Sequence, residues 1–154
     1  MAKYRKNATR LAAKLDKIIL DHFINPLGNR TNKAIQDGLD SSTDINGDPF
    51  AENAPSTIDK KGSDKPLFDS GDLKGSVRKK PANRGNMMFE IKVTGKPAEY
   101  GAKHNMEGGF TSEEGHHVPQ REWFGLPKSM KEGGSEYKKF LNEARLRILT
   151  TFRK

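Results

Sequence analysis

The chain has 154 residues, 31% of them charged, and a net charge of +8 from 28 Lys and Arg against 20 Asp and Glu. It contains no cysteine, which excludes structural disulfides and thiolate metal centres. Only 11 Leu, 8 Ile, 3 Val and 8 Phe are present, so a single domain over residues 1–154 is expected to hold a small core and long, sparsely packed appendages.

Residues 4–24 read as an amphipathic helix. Ala8, Leu11, Leu15, Ile18, Ile19, His22 and Phe23 recur at three and four, with Arg5, Lys6, Arg10, Lys14 and Lys17 mostly off that stripe. Lys14, Asp16 and Lys17 interrupt the apolar run, so no signal-peptide core is expected there. No stretch approaches the ~20 apolar residues of a membrane span, and a soluble chain made in a cytoplasm is expected. Asn25-Pro26 is expected to end the helix, because the residue before proline is pushed out of the α region.

Residues 25–66 read as a weakly structured insertion. Thr31 is expected to cap a short helix carrying Ile35 and Leu39, and turn chemistry follows at Asn46-Gly47-Asp48-Pro49, Ala54-Pro55-Ser56 and Lys61-Gly62-Ser63. Phe50 and Ile58 are its expected anchors. Asp69 and Ser70 then cap a short helix through Leu73. Met87, Phe89, Ile91 and Val93 alternate with Met88, Glu90, Lys92 and Thr94, the clearest strand pattern in the chain, and predict a β-hairpin over residues 75–95 that Gly95-Lys96-Pro97 stops. Ser135 to Phe152 reads as the second long helix, with Ser135 as cap and Tyr137, Phe140, Leu141, Ala144, Ile148 and Phe152 on one face. The expected fold is therefore α+β: a small antiparallel sheet packed by N- and C-terminal amphipathic helices, with long loops.

Catalytic patterns are missing. No serine stands in a Gly-x-Ser-x-Gly elbow, and no Gly-Lys-Ser/Thr follows the glycines to cradle a phosphate. His104, His116 and His117 lie near Glu107, Glu113 and Glu114, but adjacent histidines diverge and no His-x3-His is present, so they read as polar loop residues without a metal. No enzyme activity and no cofactor are expected. Lys3, Arg5, Lys6 and Arg10 form one basic cluster, and Arg145, Arg147, Arg153 and Lys154 another. Between them Lys74, Arg78, Lys79, Lys80 and Arg84, on the expected hairpin, form a third cluster placed to track nucleic-acid phosphates, although none of the clusters carries interleaved aromatics. Val118 to Pro127 differs: Trp123, Phe124 and Arg121 are types enriched at interface centres, the loop reads equally as a core anchor, and the two uses combine with Phe124 inward and Arg121 outward.

Two sets of residues carry a resemblance. The first is Asp44, Gly47, Pro49, Phe50, Ser56, Thr57, Ile58, Lys61, Gly62, Pro66, Leu67, Asp69, Ser70, Gly71, Leu73, Ser76 and Val77; the second is Tyr100, His104, Asn105, Gly108, Val118, Pro119, Arg121, Trp123, Phe124, Gly125 and Leu126. In this order and spacing they resemble the phage virion morphogenesis family, the tail-completion and neck proteins of Mu-like and related long-tailed phages. Ser70 stands where Thr is commoner, and the stretch 109–117 is longer than the usual connection. The resemblance implies a non-enzymatic virion subunit that completes the tail or joins it to the head as part of a homo-oligomeric ring. It implies neck, connector or tail-tube proteins as partners, a place at the head–tail junction or tail end, and the host cytoplasm before assembly. Asp69, Leu73, His104, Arg121, Trp123 and Phe124 are then the expected subunit contacts, such that alanine at Arg121 and Trp123 abolishes assembly and spares the fold. The reading from residues alone keeps a rival, a small basic nucleic-acid-binding protein.

Overall fold

A computed structural model describes residues 2–153, with side chains described from Tyr4 onward. Lys154 and the Lys3 side chain, members of two basic clusters, lie outside the described residues. The elements run α1 (Ala2–Ile19), a π-helical turn (Leu20–Ile24), α2 (Asn25–Ser41), α3 (Pro55–Lys61), α4 (Asp72–Ser76), β1 (Val77–Lys80), β2 (Glu90–Val93) and α5 (Lys96–Asn105). After them come β3 (Phe110–Thr111), β4 (His117–Val118), a 3₁₀ turn (Lys128–Met130) and α6 (Ser135–Phe152). The fold is a small α+β, with β1 beside β2 in one two-stranded sheet and β3 beside β4 in another. β3 and β4 run antiparallel, Phe110 facing Val118 and Thr111 facing His117.

Three expectations for the first half are corrected. The helix does not stop at Pro26. A proline in a helix lacks a donor and presses on the carbonyl four residues back. Here the turn before it widens, and the Asn25 N–H bonds to the Leu20 carbonyl five residues back. The helix thereby passes the proline and continues to Ser41. Thr31 is accordingly a buried residue inside α2 and not a cap. The stretch 25–66 is not weakly structured either, since it holds α2 and α3 and supplies Ile35, Leu39, Ile45 and Phe50 to the core. Its turn at 44–48 is self-supporting: the Asp44 carboxylate accepts the N–H groups of Asn46 and Asp48 at 2.7 and 2.9 Å.

The chain falls into two compact units, one of Met1–Arg30, Lys79–Glu90 and Lys128–Lys154, the other of Thr31–Arg78 and Ile91–Pro127. In the first, α6 packs against the π-turn and α1, Phe23 meeting Tyr137 edge-on with ring centroids 5.3 Å apart. Asn25 and Ala82 exchange two hydrogen bonds, 2.9 and 3.1 Å, that hold the turn after β1 against α2. The apolar stripe of α1 is only partly covered: Leu11 and Leu15 are 55% and 36% exposed, as are Leu146 and Leu149 of α6 at 62% and 51%. In the second unit a core of Ile35, Leu39, Ile45, Phe50, Leu67, Leu73, Val77 and Trp123 is flanked by Ile91, Val93 and Phe124.

Candidate functional site

Helix α5 forms over Lys96–Asn105, where no helix is expected from periodicity. Gly95-Lys96-Pro97 starts a helix as well as ending a strand: Pro97 stands in its first turn, where a missing N–H costs nothing. α5 places Tyr100 and His104 one turn apart, their rings 4.5 Å between centroids, and His104 also meets Phe110 of β3 edge-on at 5.1 Å. His104 is therefore a buried helical residue and not a polar loop histidine.

The loop 119–124 is tied to the end of α5. The His104 carbonyl accepts the Arg121 N–H at 2.7 Å. The Asn105 amide accepts the Phe124 N–H at 3.1 Å and donates to the Phe124 carbonyl at 3.0 Å, reading that residue's backbone from both sides. The Trp123 indole N–H donates to the Gly101 carbonyl at 2.8 Å. Gly101 is needed there, because a Cβ would lie 2.5 Å from the Trp123 ring and 2.9 Å from Leu73.

Arg121 occupies the centre of this arrangement and is 4% exposed. Its Nε and Nη2 donate to the Ala51 carbonyl at 3.2 and 3.0 Å, and Nη2 also reaches the Glu52 carbonyl and Asn53 Oδ1 at 3.2 Å each. Its Nη1 lies 3.3 Å from His104 Nδ1. Among the described residues no carboxylate pairs with it. Burial lowers the Arg121 guanidinium from its ordinary value, with Tyr100 opposing. Burial first, then Arg121 and Lys61, hold the His104 imidazole down at about 4, so the ring is neutral at pH 7.

The residues expected at a subunit surface are thus distributed otherwise. Leu73, His104, Arg121 and Trp123 are buried within the second unit, Phe124 is half-buried against its core, and only Asp69 is exposed. The expectation of Phe124 inward and Arg121 outward is corrected: both turn inward, because backbone carbonyls of residues 51–52 offer the guanidinium what water would. The cap of α4 also differs. Gly71, at φ +87°, takes that position, while Ser70 Oγ accepts the Asp72 N–H at 3.4 Å.

The basic set between the helices is largely engaged with its own chain. Lys74 pairs with Asp40 at 2.6 Å, Arg84 with Asp16 at 3.1 Å and Lys79 with Asn29 Oδ1 at 3.1 Å, while Arg78 donates to the Gly75 carbonyl. Lys80 is exposed. Among the described residues no group of three His, Asp or Glu is arranged to hold a metal, and no helix is long and apolar enough to cross a membrane. Comparison of the chain with protein-family models, with curated proteins and with solved structures finds no match.

Proposed function

We propose that the chain is a structural virion subunit that completes a phage tail or joins it to the head, working by geometry as one member of a ring. One observation carries the reading. Both sets of residues that resemble the virion morphogenesis family lie in the second unit and meet there in one knot: Leu73 of the first shares the core with Trp123 of the second, and within the second His104 and Asn105 are hydrogen-bonded to Arg121 and Phe124. Residues linked in this way have a shared structural reason for recurring together in that order.

The knot also changes where assembly contacts are sought. Buried Arg121 and Trp123 hold the subunit's own fold, and the exposed leucines of α1 and α6 are the better surface for neighbours. No aromatic side chain is interleaved with Lys74, Arg78, Lys79, Lys80 and Arg84 to stack on bases, which favours this reading over single-strand nucleic-acid binding. The test is electron microscopy of particles made by a phage that carries the chain, with and without its gene. Unjoined heads and tails, rescued by adding the protein, are expected. Intact joined particles in its absence would sink the proposal, as would a protein that stays monomeric with its partners and binds DNA tightly with a steep salt dependence.

A further inference from the structure

The second unit carries a cleft of about 550 Å³ that the anchoring role of Arg121 does not account for. Lys60 and Lys61 line it from α3, Tyr100 and His104 from α5, and Phe110 and Val118 from the β3–β4 hairpin, with Arg121 among the lining residues. Its charged lining is three cations, Lys60, Lys61 and Arg121, against two carboxylates, Glu52 and Glu114. Arg121 is held by carbonyl and amide oxygens, and the Lys61 ammonium donates to the Lys65 carbonyl at 3.3 Å. Neutral His104 adds no negative charge, and Asp69 acts on Lys61 from outside the lining.

One carboxylate already sits at the mouth. Glu114, at the turn of the hairpin beside Gly115, lies 3.3 Å from the Lys60 ammonium. Both side chains are exposed, 67% and 71%, so water screens the pair and a competitor can replace it at little cost. Tyr100, Phe110, Val118 and Pro119 give the cleft an apolar side as well, suited to methylene groups that a small inorganic anion lacks.

We propose that this cleft receives an acidic side chain carried on an extended segment of a partner protein, its carboxylate displacing Glu114 from Lys60. The hairpin's own Glu114 is the intramolecular stand-in for that ligand. The proposal holds whether or not the chain is a virion subunit, because it rests on the cleft alone.

The test titrates the full chain with an acetylated, amidated hexaglutamate peptide, with the matched hexaglutamine peptide and with inorganic phosphate. Calorimetry reads the affinity, and ¹⁵N NMR reads the location. At low salt hexaglutamate is expected to bind about tenfold or more tightly than hexaglutamine and to shift amides in residues 56–61 and 110–118. Joint replacement of Lys60→Gln and Lys61→Gln removes that preference, and Glu114→Gln, which frees Lys60, strengthens binding about two- to threefold. Equal binding of the two peptides overturns the proposal. So does shift perturbation centred on Arg78 to Lys80, or phosphate binding as tight as hexaglutamate at the same amides. A Glu114→Gln variant that binds no better overturns the displacement even if the lysine variant is poorly folded.

Discussion

The Arg121 guanidinium lies 3.3 Å from His104 Nδ1, a permanent cation set against a neutral ring inside the second unit. Arginine has no acceptor, so Nδ1 must accept and the ring proton sits on Nε2. The cation is solvated by the ring and by oxygens of residues 51–53, which fastens three separate pieces of chain at one point.

Removing that fastener costs stability before it costs anything else. Arg121→Ala strands the carbonyls of Ala51 and Glu52 and is expected to destabilise the fold by about 2–4 kcal/mol, read as a lower urea midpoint. Arg121→Lys is expected to recover little, because an ammonium cannot span the fork that the guanidinium fills. A midpoint unchanged in Arg121→Ala would show that the buried network carries no stability.

The pair also sets a pH dependence. His104 titrates near 4 when folded and near its ordinary 6.5 when unfolded, so between those values the unfolded chain binds the extra proton. Its contribution is fully present above pH 6.5 and is lost as pH falls toward 4, a decline of at most about 3 kcal/mol. Protonation would set an imidazolium beside Arg121. Urea melts from pH 7.5 to 4.5 should show a slope in the wild type that flattens in His104→Asn; parallel profiles would refute the assignment.

Gly101 tests how closely α5 meets the loop. Alanine in a helix gains about 1 kcal/mol over glycine, so an uncrowded site would be stabilised. Here the added Cβ would lie 2.5 Å from the Trp123 ring, and both Trp123 and Leu73 are buried in the core with no room to yield. The clash wins, and Gly101→Ala is expected to lower stability by about 1–3 kcal/mol. Trp123→Phe, which keeps most of the apolar area and loses the bond to Gly101, should cost about 1 kcal/mol by the same urea assay.

Periodic patterns were legible and long-range ones were not. The α6 stripe places its helix, because the helix period is a local property, whereas the alternation expected from Met87 to Thr94 makes a strand only over Glu90–Val93 and leaves Met87 to Phe89 outside it. Of the two expected anchors, Phe50 is buried in the core and Ile58 is only half-buried. Pro26 and Pro97 misled in opposite directions: a widened turn carries the helix through the first, and the second opens α5 in place of merely ending a strand. Arg121 misled through its charge. Its partners lie 17 residues away at His104 and about 70 away at Ala51, and nothing in the loop's own composition announces them. The Tyr100–His104 spacing, one helical turn, with Pro97 just before it, is the signal that could have found α5.

Surface leucines separate assembly from folding. Leu11 of α1 and Leu146 of α6 are 55% and 62% exposed, so charge there removes less than half of each side chain's area from cover within the subunit. Leu11→Glu with Leu146→Glu is expected to change the unfolding free energy, read from the urea midpoint, by no more than about 1–2 kcal/mol. On the proposed ring, the same pair should lower the sedimenting mass and abolish rescue of unjoined particles, because an ionised side chain cannot be covered by an apolar neighbour. Arg121→Ala should show the reverse order, failing first in the urea melt. A leucine double variant that rescues particles as well as wild type would move the contact surface off these two helices.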